Sequence, residues 1–135
     1  MKKIIKFSLI GTILIVISIG TIILISNPLR KSEENIREEI LKLAPIGTNI
    51  ENVTKLFEKK KEWKVYHQGG YIPWSSIPKD EISSYIDDSI RRKKMEVEAG
   101  KYISGIFNTH VYVYFKFNEN LELIDVSIYK EIDAL

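Results

Sequence analysis

His67 and His110 are the only histidines in the chain, and imidazole is the side chain best suited to moving protons near neutral pH. Together with Ser75, Ser76 and Asp80 they supply the residue types of a serine hydrolase: base, nucleophile and orienting carboxylate. Their surroundings point elsewhere. No G-x-S-x-G elbow is present, and Ser75-Ser76 lies between Pro73 and Pro78 in a stretch that reads as loop. A strand histidine making one hydrogen bond is the simpler expectation for both. No catalytic residue is expected, and the chain does not read as an enzyme.

Metal and thiol chemistry is equally poorly provided for. The chain has no cysteine, which excludes disulfides, thiolate zinc sites, a cysteine nucleophile and a lipid-modified N-terminal cysteine. Asp87-Asp88 and Glu96-x-Glu98 lack the spacing of a calcium loop. Alternating glutamates on a strand read as its wet face, so no metal or cofactor site is expected. Nor is nucleic acid an expected partner. Setting aside Lys2, Lys3 and Lys6 leaves 17 Lys and Arg against 18 Asp and Glu, without the basic excess of a nucleic-acid-binding domain. The runs Lys59-Lys60-Lys61 and Arg91-Arg92-Lys93-Lys94 each have glutamates nearby (Glu58, Glu62, Glu96, Glu98) and read as solvated faces or helix ends.

A recognition surface is better supported. Thr109 to Phe117 and Glu122 to Lys130 alternate apolar and polar residues and read as a hairpin joined at Asn118-Glu119-Asn120-Leu121. Pairing Phe115 with Ile124, Val113 with Val126 and Val111 with Ile128 gathers six apolar side chains on one face, with Asn120 as the left-handed turn residue. The opposite face then carries His110, Tyr112, Tyr114, Lys116, Asp125, Ser127 and Tyr129. Of these, His110, Tyr112, Tyr114 and Tyr129 are the candidate protein-binding residues, because tyrosine offers large contact area with a polar tip at low entropic cost.

The elements that must position this face come earlier in the chain. Ser32 can cap a helix opening on Glu33-Glu34 and carrying Ile36, Ile40, Leu41 and Leu43. Thr48 with Glu51 forms a capping-box pattern for a second helix, with Ile50, Val53, Leu56 and Phe57 on its apolar face. A strand is expected from Trp63 until Gly69-Gly70, and another around Lys94 to Ala99. Tyr71 to Ser89 is hard to read: its prolines favour loop, with a short helix from Pro78 through Ile86. The expected class is α+β: an N-terminal transmembrane helix, then two helices packed on one face of an antiparallel sheet of about four strands.

The membrane span is expected from Phe7 to Leu29, which contains no charged residue. A helix of that length covers roughly the 30 Å hydrocarbon core of a bilayer. It exceeds a signal-peptide core, and Ile25-Ser26-Asn27-Pro28 is no small-residue cleavage site. Residues 1–29 are therefore read as tail and anchor, and 30–135 as one domain. The Lys-Lys start favours an N-terminus inside, which places the domain outside the cytoplasm of a single-pass cell-membrane protein.

The segment Leu43-Ala44-Pro45-Ile46-Gly47-Thr48-Asn49-Ile50-Glu51-Asn52-Val53 resembles the helix opening of the BamE (SmpA/OmlA) and β-lactamase-inhibitor-protein-like class. The tail from Phe117 to Leu135 resembles that of uncharacterised single-pass membrane-anchored proteins of Gram-positive bacteria. These resemblances imply helices on one sheet face and a second face free to bind protein. The resulting expectation is a membrane-tethered binding or accessory domain with a protein partner. The alternative is an inhibitor or immunity-type protein that blocks an enzyme or toxin at the membrane.

Overall fold

Along the strand Phe107–Phe117, Val111, Val113, Phe115 and Phe117 are buried while His110, Tyr112 and Tyr114 between them are only half-buried. That alternation divides the molecule. The computed structural model describes residues 27–133; the expected membrane span lies almost wholly outside the described residues. Among the described residues, no helix is long and apolar enough to cross a membrane.

Five strands form one antiparallel sheet: β1 (Lys64–His67), β2 (Gly70–Pro73), β3 (Lys94–Ser104), β4 (Phe107–Phe117) and β5 (Leu123–Ile132), in spatial order β2-β1-β3-β4-β5. Three helices, α1 (Glu33–Leu43), α2 (Ile50–Lys59) and α3 (Lys79–Arg92), send Ile36, Ile40, Val53, Phe57 and Tyr85 into one core with Val65, Val97, Val113 and Phe115. Phe57 is its aromatic hub, with ring centroids 5.4 Å from Trp74 and 6.3 Å from both Trp63 and Phe115. The α+β class and the antiparallel sheet are as expected, with one more helix and one more strand.

Both additions lie in the stretch that was hard to read. Gln68 and Gly69 adopt φ of 48° and 85°, a two-residue hairpin turn whose twist suits the flanking strands. Gly69-Gly70 therefore turns the chain into β2 instead of ending the sheet. Pro73 closes β2 on the edge of the sheet, where its missing N–H costs no ladder bond. In α3, Ser83-Ser84 and Asp87-Asp88 dilute the apolar signal, although Ile82, Tyr85, Ile86 and Ile90 recur at helical spacing and pack on the core. Asp80 and Glu81 in the first turn and Arg91 and Arg92 in the last suit the helix dipole.

Several local expectations need correction. Ser32 does cap α1, accepting from the Asn35 N–H at 3.2 Å. The cap of α2 is Asn49, not Thr48: Asn49 Oδ1 accepts from Glu51 N at 3.0 Å, whereas Thr48 Oγ1 donates to the Pro45 carbonyl at 2.6 Å. The helix starts there because Gly47, Thr48 and Ile50 bond through their backbones to Leu123 and Leu121 at 2.8–2.9 Å.

The β4–β5 register also differs by two residues. Phe115 pairs with Val126, Val113 with Ile128 and Val111 with Lys130. Parity survives such a shift, so the polar face is unchanged. A bulge makes up the difference: Lys116 faces Asp125 but Phe117 faces Leu123, leaving Ile124 unpaired. Leu123 is fully buried in the core position while Ile124 is 44 % exposed. In the loop, Leu121 rather than Asn120 takes the left-handed conformation (φ 61°). Asn118 Oδ1 holds that turn by accepting from the N–H groups of Asn120 and Glu122 at 2.9 Å.

The outer edge of β5 is covered as far as Val126. Gly47–Asn49 bonds along its start, and Arg37 Nε donates to the Val126 carbonyl at 2.8 Å. The bulge yields a direct test by urea unfolding. Leu123→Ala is expected to cost about 2–5 kcal/mol, as buried leucine truncations do. Ile124→Thr is expected to stay within about 0.5 kcal/mol of wild type; the reverse order would restore the unshifted register.

Candidate functional site

The sheet face turned away from the helices carries His110, Tyr112 and Tyr114 from β4 and Tyr129 from β5, so the pleat brings together all four residues singled out in the sequence. Tyr112 and Tyr129 are cross-strand partners with stacked rings 6.4 Å apart, and the His110 ring stacks on Tyr112 at 6.2 Å. Two further tyrosines join them. Tyr66 on β1 and Tyr71 on β2 are paired with ring centroids 5.3 Å apart, and Tyr71 reaches Tyr112 at 5.2 Å. Because β1 and β3 lie between β2 and β4, the Tyr71 ring must lean over both to make that contact.

Beneath this aromatic row lies a carboxylate. Glu98 projects from β3 opposite Tyr112 and beside Lys64, and is only 5 % exposed. The expectation of a wet glutamate strand fails here, because neighbouring tyrosines close over the side chain without any helix. A buried charge must be paired, and this one is. His110 Nδ1 lies 2.7 Å from Glu98 Oε1, and Lys64 Nζ donates to Oε2 at 3.2 Å. The other ring nitrogen of His110 lies 3.2 Å from Asp133 Oδ2, so the imidazole spans two carboxylates where a single bond was expected. Burial opposes ionisation of Glu98, but the bonds from His110 and Lys64 outweigh it and hold the carboxyl below its ordinary range.

The phenols move the other way. Burial, then the nearby Glu96 carboxylate, raises Tyr71 and Tyr114 above the ordinary phenol; burial, then Glu131 and Glu98, does so for Tyr112. Their hydroxyls stay neutral at physiological pH, able both to donate and to accept. Lys94 Nζ sits 4.6 Å over the Tyr114 ring, a cation–π contact. Beyond it, a concavity of about 870 Å³ lined by Lys94, Tyr114, Lys116, Ile124 and Ser127 extends the face toward the β4–β5 loop.

The hydrolase residue types are not assembled. His67 faces the helix side, 3.0 Å from Glu81 Oε2 and with its ring 6.1 Å from Tyr85, whereas His110 lies on the open face. Among the described residues no hydrogen bond joins either histidine to Ser75 or Ser76, and no cluster of three His, Cys, Asp or Glu side chains could hold a metal. Tyr71 was missed with its strand. Glu98 was missed because strand alternation says which face a residue takes, not what covers it.

The lowered Glu98 titration sets the sign of a pH effect. A carboxyl depressed on folding contributes stability that is fully present above its unfolded pKa of about 4.3. That contribution disappears as pH falls through the lower folded value. Glu98→Gln is therefore expected to lower stability at neutral pH and to flatten its loss on acidification, measured by urea midpoints from neutral down to about pH 3. His110→Ala, which leaves Glu98 with Lys64 alone, is expected to cost about 1–3 kcal/mol at neutral pH.

Compared with known protein families, with curated proteins and with solved structures, the chain matches none.

Proposed function

We propose that the chain is a membrane-tethered protein-binding module, held by its leading apolar run and engaging a protein partner through the open face of the sheet. The observation that carries this reading is the aromatic row Tyr66–Tyr71–Tyr112–Tyr129, which crosses the sheet with no helix packed on it. Tyr129 is 53 % exposed and Tyr66 37 % exposed, leaving apolar ring area to be buried by a partner. The half-buried rings of Tyr112 and Tyr114 are already locked by neighbours, so little side-chain entropy remains to be lost on docking.

The polar groups suit the same role. Neutral phenols and the ordered His110–Glu98–Lys64 cluster present donors and acceptors in fixed positions, a pattern that selects a partner more than it strengthens binding. The uncharged run from Phe7 to Leu29 supports the tether, which would confine the module to a surface and raise its concentration near partners there. The resemblance of the segment around Gly47 to the BamE class agrees with an uncovered sheet face used for protein contact. No catalytic role is assigned to His67 or His110.

A photo-crosslinking residue placed at Ser127, exposed on this face beside Tyr114, tests the proposal in native membranes. A discrete adduct is expected, and Tyr112→Ala combined with Tyr129→Ala should reduce it by about 30-fold, as loss of a 2 kcal/mol hot spot would. Undiminished adduct from the folded double variant would reject the face assignment.

A further inference from the structure

At the opposite end of the sheet from the β4–β5 loop, several large apolar side chains are exposed. The β3–β4 hairpin turns at Gly105-Ile106, with Gly105 at φ 64° and Ser104 paired to Phe107. Glycine is required at the first turn position for that φ, but nothing in the turn calls for isoleucine at the second. Ile106 is nonetheless 82 % exposed, the most exposed large hydrophobic of the described residues. Ile103, two strand positions earlier than the turn glycine, is 58 % exposed, and Ile132 at the end of β5 is 60 % exposed. Single exposed apolar residues are common, but here three share one end of the sheet: Ile103 opposite Asn108 on the open face, Ile132 opposite Thr109 on the helix side, and Ile106 at the turn itself.

This tip is where the uncharged leading run meets the domain. Pro28–Arg30 forms a short 3-10 turn, and the Leu29 side chain lies so close to β3 that a Cβ at Gly100 would stand 3.0 Å from it. Arg30 donates to the Ile103 carbonyl and sits 5.2 Å over the Tyr102 ring. Lys130 Nζ donates to the carbonyls of Leu29 and Lys31 at 3.0 Å and 2.6 Å. The final residue of the Phe7–Leu29 run is thus clasped between the hairpin and β5. Arg30, Lys31, Lys101 and Lys130 bring positive charge to the same end. The acids there are Glu39, which pairs with Lys31 and offsets its charge, Glu131, across from His110, and Asp133, which bonds to His110.

We infer that the β3–β4 hairpin tip is a lipid-contacting element: Ile103, Ile106 and Ile132 enter the interfacial layer of the bilayer, and the adjacent cations meet its headgroups. Isoleucines flanked by Arg and Lys match the layered chemistry of that interface, where apolar atoms sink to the acyl boundary and long basic side chains reach back to the phosphates. The clasp holds Leu29, the last residue of the run, at this end of the sheet, so a bilayer holding the run would lie within reach of the tip. Two points of contact would fix the tilt of the domain, whereas the run alone would leave it free to swing. The inference rests on the tethered reading proposed above.

Because the chain has no cysteine, single labels are unambiguous. The full-length chain is reconstituted into vesicles of phosphatidylcholine with a minority of phosphatidylglycerol. It carries the environment-sensitive fluorophore NBD on Ile106→Cys, on Ile15→Cys within the run, or on Glu119→Cys in the far β4–β5 loop. Lipid-borne nitroxide is expected to quench the labels at 15 and 106 while sparing the one at 119. Quenching at 15 with none at 106 would overturn the tip assignment and leave the tether standing. Quenching at neither would overturn both, and quenching at 106 alone would uphold the tip and reject the tether. A blue-shifted but unquenched label at 106 would mean cover by protein rather than lipid, and would also overturn the inference.

Discussion

The period-two pleat of β4 is the constraint on which the molecule turns. One residue in two along Val111–Phe117 must go under the helices, so its neighbours are committed to the other side whatever their chemistry. Core and open face are therefore not independent. His110, Tyr112 and Tyr114 are aimed by the same backbone that buries Val111, Val113 and Phe115. A disturbance that tilts the strand to relieve one side misplaces the other, so the side chains of the open face are held by a rigid element rather than by a loop.

Within that frame Glu98 is the costly residue. A carboxylate nearly removed from water stabilises nothing by itself and must be met by donors of good geometry. The sheet supplies them from both neighbouring strands, Lys64 on β1 and His110 on β4. The tyrosine rings that dry the site also strengthen those bonds by lowering the local dielectric. The cluster ties three adjacent strands together on a side with no helix to hold them, so a single buried charge does part of the organising work that packing does on the other face.

What was legible in the sequence follows from how strongly each signal is repeated. The apolar faces of Ile36/Ile40 and of Ile50, Val53, Leu56 and Phe57, and the alternation from Thr109 onward, recur often enough to define their elements and the open face with its four residues. The second hairpin was hidden because Gln68-Gly69-Gly70 can end a strand or reverse it, and only the tertiary partner β3 decides between the two. The β4–β5 register was misjudged by two residues because apolar parity is blind to a shift of two, and a bulge at Ile124 leaves no mark beyond one apolar residue too many. The α2 cap lies one position later than its capping-box pattern indicates because backbone bonds to Leu121 and Leu123 override that pattern, whereas the α1 cap at Ser32 is as expected. Glu98 is the instructive miss: its cross-strand neighbours Lys64 and Tyr112, with His110, enclose it, and no pattern within β3 encodes which residues lie on the adjoining strands.

The two edges of the sheet limit how another chain could join it. Gly47–Asn49 and Arg37 occupy the outer row of β5 as far as Val126, and β2 is short and ended by Pro73. Sequence-indifferent main-chain pairing, the usual route to promiscuous or runaway association, is thereby left only a shortened ladder at each edge. On the open face, Ser127 and Tyr129 are exposed enough to vary with little effect on the interior, whereas Glu98 and His110 are tied into the fold. Tolerance to substitution is thus graded across one surface.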